Sequence, residues 1–322
     1  MKIVRALLAR LAKLAVVVLI VSFLTFMLIK LLPGDLTNTL LGPQASNPQA
    51  VAALEKELGL DKPLLVQYAD YITGVVTELD LGTAYASSNV PVKELLASRL
   101  PLTIQLALMA QVIALLISVP LAMISAYRAN SAVDRAVTAG AFAAISLPSF
   151  AMAVVLVYVF AVQLDWFPAI GYVRITENLG ENLRSVALPV TVLVAGITAV
   201  YVRLLRSDLI ATLQEDFILM ARSKGLPTWH ILLRHALRPS AFSLLTVFGI
   251  NFGSLIGGSI IVEYFFSIHG LGYLAVDSIA KRDYLAVQGV VLVIAVAFVT
   301  VNFLVDMLYA VLDPRVRRAG AR

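Results

Sequence analysis

The chain reads as an all-α polytopic membrane protein, and three observations predict it. Hydrophobic residues fill 60% of its 322 positions, charged residues only 14%, and mean hydropathy is +0.90, whereas a soluble domain carries about a quarter charged residues. A bilayer core of about 30 Å takes about 20 apolar residues as a helix, and six segments meet that length. Lysine and arginine, finally, fall unevenly on the segments between them.

Leu14–Leu32 is the first span. Its apolar run is long and lacks a small-residue cleavage site, so it is read as a retained helix and not a signal peptide. Residues 1–32 thus hold a cytoplasmic tail and the first membrane helix, and 33–98 form an extracellular cap too long to be a simple connector. Within the cap, Val51–Leu58 and Leu64–Val76 read as short helices, with Asn47 and Pro48 starting the first and Gly59 ending it. Residues 99–312 carry the other five spans, at Pro101–Tyr127, Ala136–Leu164, Ala187–Leu205, Ala241–Val262 and Leu285–Leu312, and 313–322 form a tail.

Pro120, Pro148 and Pro189 interrupt helical patterns and are expected to bend them, because proline removes a backbone donor and crowds the preceding turn. Gly249, Gly253 and Gly257 recur every four residues and lay a smooth strip along the fifth span, suited to close helix packing or to a subunit interface. Gln105, Gln111, Asn251, Ser254, Asn302 and Asp306 are polar at membrane depth and must face protein or water. Asp306 is expected to pair with a basic residue of a cytoplasmic loop. Glu263, at the outer end of the fifth span, is expected to act at a gate or to meet a substrate-delivery protein.

Charge sets the orientation. With the N-terminus inside, the inner segments hold Lys2, Arg5, Arg10, Lys13, Arg128, Arg135, Arg203, Arg206, Arg222, Lys224, Arg234, Arg238, Arg315, Arg317, Arg318 and Arg322. The outer ones hold Lys56, Lys62, Lys93, Arg99, Arg174, Arg184, Lys281 and Arg282. Sixteen against eight places both termini in the cytoplasm. The net charge of +5 therefore reflects topology, and no nucleic-acid partner is needed to explain it.

The most informative stretch is the polar island Glu215–Pro239, EDFILMARSKGLPTWHILLRHALRP, between two apolar segments. Acids open its first half and Arg222 and Lys224 close it, which complements a helix dipole. Gly225 reads as the stop, and Pro227 suits the first turn of a second helix. On that helix Trp229, Leu232, Leu233, Ala236 and Leu237 form an apolar stripe, opposite His230, Arg234 and Arg238. A basic amphipathic helix lying on the membrane would show the same pattern.

Ala221–Gly225 together with His235, Ala236, Leu237 and Pro239 resembles the coupling motif of ABC importer permeases of the oligopeptide/dipeptide family. LLPGD at Leu31–Asp35, GLDKPLLVQY at Gly59–Tyr68, DLG at Asp80–Gly82, GGSIIVEYFF at Gly257–Phe266, HGLGYL at His269–Leu274, RDY at Arg282–Tyr284 and DPRVR at Asp313–Arg317 extend the resemblance along nearly the whole chain. It departs where Asp216 and Phe217 replace the motif's glutamate and alanine, and where Arg238 precedes the proline.

The resemblance implies a type I ABC importer permease fold in the inner membrane of a bacterium, with a coupling loop at 207–239 inside a permease domain at 99–312. It further implies a docking surface of Asp216, Ala221, Arg222, Lys224, Gly225, Trp229, Leu232, His235 and Pro239. Its partners would be two cytoplasmic ATPases, a second homologous permease and an extracellular solute-binding protein. The cargo would be a di- or oligopeptide, or in close relatives a nickel chelate, glutathione or a short sugar.

No G-x-x-x-x-G-K-[ST] phosphate loop, nucleophile elbow or catalytic carboxylate pair is present, so this chain is expected to be no enzyme and to bind no cofactor, with ATP and magnesium on its partners. The three histidines are not grouped with carboxylates as a metal cage. An autonomous channel or secondary transporter would need charges along a pathway, and no internal repeat supports one. An intramembrane enzyme would need a nucleophile and base at depth.

Overall fold

The structure, a computed structural model, describes residues 2–31, 47–57, 59, 61–85 and 89–312. Most of LLPGD, all of DPRVR and the side chain of Asp306 lie outside the described residues. The elements are α1 (Lys2–Leu31), α2 (Pro48–Glu57), α3 (Leu64–Glu78), the hairpin strands β1 (Thr83–Ala84) and β2 (Val90–Pro91), α4 (Val92–Tyr127), α5 (Ala132–Ser146) and α6 (Ser149–Leu156), the last continued by a π-helical stretch Val157–Gln163. They are followed by α7 (Leu179–Thr212), α8 (Asp216–Ser223), α9 (Thr228–Phe265), α10 (Leu271–Ala280) and α11 (Tyr284–Leu312).

All six expected segments fall on helices. Among the described residues, α4, α7, α9 and α11 are long and apolar enough to cross a bilayer, α5 with α6 make a fifth, bent candidate, and α1 carries a shorter apolar stretch, Leu14–Met27. The expectation of one helix over Ala136–Leu164 is corrected, because α5 and α6 meet at 101°. Pro148 holds Leu147 in an extended conformation (φ −86°, ψ 121°), as a proline does to the residue before it, and then opens α6 as its N-cap. Pro120 and Pro189, by contrast, lie inside helices that continue past them.

Contacts divide the chain into two units, Met1–Thr103 with His269–Thr300, and Ile104–Ile268 with Val301–Arg322. In the first, the cap helix α3 lies on α1. The Tyr68 hydroxyl meets Ser22 Oγ at 2.8 Å and donates to the Leu19 carbonyl at 3.0 Å, while its ring packs edge-on against Phe23. Asn47 caps α2 through Gln49 N (3.0 Å), and Gly59, at φ +65°, follows its end as expected. The hairpin pairs Thr83 with Pro91 and Ala84 with Val90. Gly289 lets α11 close on α4: a Cβ there would lie 2.5 Å from Val92 Cγ1. Thr103 Oγ1 accepts from Leu271 N (2.8 Å), so a side chain 168 residues away caps α10.

In the second unit α7 is the central strut, packed by α5, α6 and α9. Asn178 caps it, accepting from Gly180 N and Glu181 N. Gln111 and Tyr201, both buried, bridge three helices: Tyr201 Oη donates to Gln111 Oε1 (2.5 Å) and Gln111 Nε2 to the Phe248 carbonyl (3.3 Å). Nearer the start of α7, Tyr172 Oη donates to Gln105 Oε1 (2.7 Å) and Gln105 Nε2 to Asn182 Oδ1 (2.7 Å). Both glutamines therefore face protein, as polar residues at depth must.

The strongest polar joint is Asp134 with Arg206. Arg206 Nε and Nη2 reach the two carboxylate oxygens at 2.6 and 2.7 Å, and Ser125 Oγ and Asn130 N donate to the same carboxylate. This ties the α4–α5 connection to α7. Gly249, on α9, has its Cβ position 2.7 Å from Val305 Cγ2, so this member of the glycine strip serves packing within the chain.

Gly249→Val is expected to lower thermal stability in detergent by about 1–3 kcal/mol through overpacking, whereas Gly196→Ala, with no atom within 4 Å of the new Cβ, is expected to be neutral or to stabilise. Equal melting of both variants would overturn this packing argument. Asp134→Asn should cost about 2 kcal/mol, between the loss of an exposed and of a fully buried pair, since the Asp134 side chain is 5% exposed and that of Arg206 26%; an unchanged melting temperature would contradict it.

Candidate functional site

The island between α7 and α9 folds as a short helix, a left-handed turn and the start of a long helix. Helix α8 begins at Asp216, with Asp216 in its first turn and Arg222 in its last, the expected dipole arrangement. Ile218 and Ala221, three apart, are buried and fix one face. That leaves Phe217, Leu219 and Met220 exposed, Met220 by 60%.

Gly225 stands at φ +72°, with its N–H on the Arg222 carbonyl (2.9 Å) and the Leu226 N–H on the Ala221 carbonyl (3.4 Å). These two bonds are the Schellman ending, which needs a left-handed residue at this position. Pro227 is the N-cap of the next helix and not a residue of its first turn, one position earlier than expected. Its carbonyl accepts from His230 N and Ile231 N.

Two expectations about the second helix are corrected. The first treated it as separate from the fifth span, but α9 is helical from Thr228 to Phe265, interrupted only at Ser259. The second placed Trp229, Leu232, Leu233, Ala236 and Leu237 together on one apolar face. Ile231 and Ala236 are buried instead, while Trp229 (64%) and Leu233 (51%) are exposed. The cause is the π-helical stretch Ile231–Ala236, where Leu237 N bonds Leu232 O, five residues back. Residues five apart then share a face, which also brings the His230 and His235 rings to 5.6 Å.

The π-helical stretch lies just ahead of Pro239, whose ring would otherwise crowd the His235 carbonyl. Ser240 Oγ donates to the Ala236 carbonyl (2.9 Å) and meets Thr212 Oγ1 (2.9 Å), fastening the foot of α9 to the end of α7.

Of the residues expected to dock a partner, Asp216, Arg222, Lys224, Gly225, Trp229 and Pro239 are exposed, Leu232 and His235 are half-buried, and Ala221 is buried. Arg222, Leu226, Thr228, Ile231 and Leu232 line a cleft of about 640 Å³ with Tyr127 and Gln214. Sequence reasoning passed over the exposed Phe217 and Met220 as binding groups; their three-residue spacing opposite Ile218 and Ala221 was the available signal.

Elsewhere, Gly253 is buried and Gly257 half-buried on α9, and Asn251 lies beside the Tyr201 hydroxyl. Glu263 is fully buried and accepts from Ser259 Oγ at 2.8 Å. That removes direct contact with a delivery protein from its expected roles, because a surface protein cannot reach a buried carboxylate. Among the described residues no group of three His, Cys, Asp or Glu is placed to hold a metal.

Residues 118–318 match the family described as binding-protein-dependent transport system inner membrane component, and 3–107 match the N-terminal region described for such membrane components. The chain is 40% identical over 291 residues to a Brucella abortus (strain 2308) permease protein named for a peptide transport system, covering 90% of this chain and 92% of that one. It is 36% identical over 292 residues to an oligopeptide transport system permease protein of Bacillus subtilis (strain 168), covering 90% and 92%. It is 37% identical over 291 residues to a glutathione transport system permease protein of Salmonella choleraesuis (strain SC-B67), again covering 90% and 92%.

A Cβ at Gly225 meets nothing within 4 Å, so substitution there costs backbone strain alone. Gly225→Val is expected to destabilise the turn by about 1–2 kcal/mol and to speed limited trypsin cleavage after Arg222 and Lys224 about ten-fold. Gly225→Asn, which tolerates the left-handed region, should stay near wild type. Equal cleavage of all three proteins would show that the turn does not depend on the left-handed residue.

Proposed function

Because this chain belongs to the family of binding-protein-dependent transport system inner membrane components, a multi-pass transport subunit and not an enzyme, we propose that it is one of two permease subunits of an ATP-driven peptide importer. A permease of such a system works with an ATPase and a solute-binding protein. The assembly proposed here has two cytoplasmic ATPases, a second homologous permease and an extracellular binding protein, with ATP and magnesium held by the ATPases. All six apolar segments span the membrane, both termini are cytoplasmic, residues 33–98 form the outer cap, and the permease domain covers 99–312.

The observation that carries this reading is the bend at Gly225, which joins an arm with Phe217, Met220 and Arg222 exposed to one with Trp229 and Leu233 exposed. Exposed apolar and aromatic side chains next to a basic one are what a protein-docking surface presents. Trp229 and Leu233 stand on the same continuous helix as Gly249, Gly253 and Glu263, so a push on the bend displaces α9 along its length. ATP binding closes the ATPase pair, moves the docked α8 and the foot of α9, and opens the pathway outward to receive cargo. Hydrolysis returns it to face inward. Gly257, half-buried on α9, is assigned to the contact with the second permease, whereas Gly253 is already buried within the chain.

The cargo is proposed to be a di- or oligopeptide, as the names of the Brucella and Bacillus relatives suggest. Glutathione is the second reading, because the Salmonella relative carries that name at nearly equal identity.

Co-purification from native membranes tests the assembly. The wild-type chain is expected to retain an ATPase and a second permease, and Gly225→Val to insert normally but to lose at least about ten-fold of the ATPase and of peptide uptake, from a hinge strained by 1–2 kcal/mol. Recovery of the chain alone, still transporting after reconstitution, would replace this reading with an autonomous transporter.

A further inference from the structure

Where α5 leaves the α4 connection, a cleft of about 440 Å³ opens, lined by Asn130, Asp134, Arg135, Thr138, Phe142 and Arg206. Arg203 borders the same cleft, its guanidinium carbon 4.8 Å over the centre of the Phe142 ring. Arg135, whose Nη1 donates to the Asn130 carbonyl at 3.3 Å, and Arg206 thus line the cleft, Arg203 borders it, and Asp134 is its one lining carboxylate. Asp134 is committed to Nε and Nη2 of Arg206, which leaves the charges of Arg135 and Arg203 uncompensated, since neither has a carboxylate partner among the described residues.

The apolar side of the cleft is as specific as its charge. Phe142 and Ile145, three apart on α5, are both exposed and continue the cleft up the helix as an apolar wall. Thr138, one turn below Phe142, supplies a hydroxyl at the charged end, and the N-terminus of α5 adds its positive dipole there. Guanidiniums on one cleft with an apolar wall suit a phosphate diester, which accepts from several N–H groups at once and carries hydrocarbon chains.

We propose that this cleft binds the headgroup phosphate of an anionic phospholipid from the cytoplasmic leaflet, held by Arg135 and Arg203, with an acyl chain along Phe142 and Ile145. The site rests on the orientation proposed above, which puts Arg135 and Arg203 at the inner boundary. Asp134 acts here as a positioning residue, holding Arg206 and the turn at Asn130 so that the cleft keeps its shape. Occupation by lipid would brace α5 against α7 close to the coupling loop.

The full chain, taken with whatever partners it retains into nanodiscs of equal phosphatidylglycerol and phosphatidylcholine, tests this by native mass spectrometry of the lipid that stays bound. Wild type is expected to keep phosphatidylglycerol in preference to phosphatidylcholine. Arg135→Gln and Arg203→Gln should each weaken retention about five-fold and the double variant about twenty-five-fold, from the usual attraction per basic residue. Arg174→Gln, an exposed arginine outside both the cleft and the coupling loop, should leave lipid retention unchanged. Equal retention in the double variant would overturn the site, as would displacement of the lipid by millimolar inorganic phosphate or glycerol phosphate, which would mark a site for soluble phosphate instead. ATPase co-purification and labelling of a cysteine placed at Ala129 report assembly and orientation separately. A wild-type chain that shows no preference for phosphatidylglycerol while both of these are intact refutes this inference alone, and labelling from the outside refutes the orientation beneath it.

Discussion

Backbone amides and carbonyls that leave water for hydrocarbon have no solvent partner, so a chain this apolar must satisfy them within itself at every residue. Continuous helix does this without help. The informative places are the interruptions, because each requires a replacement partner. At Pro148 the chain turns through 101° and begins a new helix. Ahead of Pro239 the bonding pattern widens to five residues and Ser240 Oγ takes up the Ala236 carbonyl. At Ser259 the hydroxyl donates to Glu263, which gives that carboxylate a partner in a fully buried position. Asn178 caps α7 locally, and Thr103 caps α10 across the unit.

The same requirement shapes the bend between α7 and α9. A short helix ended by a left-handed glycine, followed by a proline that starts the next helix, is a bend with few soft torsions. Its second arm is not a separate docking helix but the foot of α9, fastened to α7 by the Thr212–Ser240 hydrogen bond. The π-helical stretch rotates that foot so that Ile231 and Ala236 turn inward and Trp229 and Leu233 outward. One local change of helical pitch thus anchors the element and prepares the surface a partner would grip.

Much of this is legible in the residues. The six helical segments follow from apolar length, the two cap helices from Asn47, Pro48 and Gly59, and the bend from Gly225 after a basic last turn. The left-handed glycine at 225 is visible because the sequence around it carries local chemistry, with acids at one end of a helix and bases at the other. The motifs from Ala221 to Pro239 identify the family for the same reason: the signal lies within one short stretch.

What the sequence could not disclose depends on partners far away along the chain. Gly289 looks like any glycine in an apolar run until Val92 is seen 2.5 Å from its Cβ position. Asp134 and Arg206, 72 residues apart, leave no periodic trace, and neither do Thr103 and Leu271. The burial of Ile231 and Glu263 and the exposure of Leu233 do not follow from apolar spacing, because an interruption at Ser259 and a π-helical stretch at Ile231–Ala236 change helical phase without changing composition. Hydropathy and local caps, which act within a turn or two, determined that this chain is a helical membrane protein with a glycine-ended bend between two of its long helices. Which faces of those helices meet one another, and so which residues are anchors and which are left for partners, was decided only by packing in three dimensions, where proximity no longer follows sequence separation.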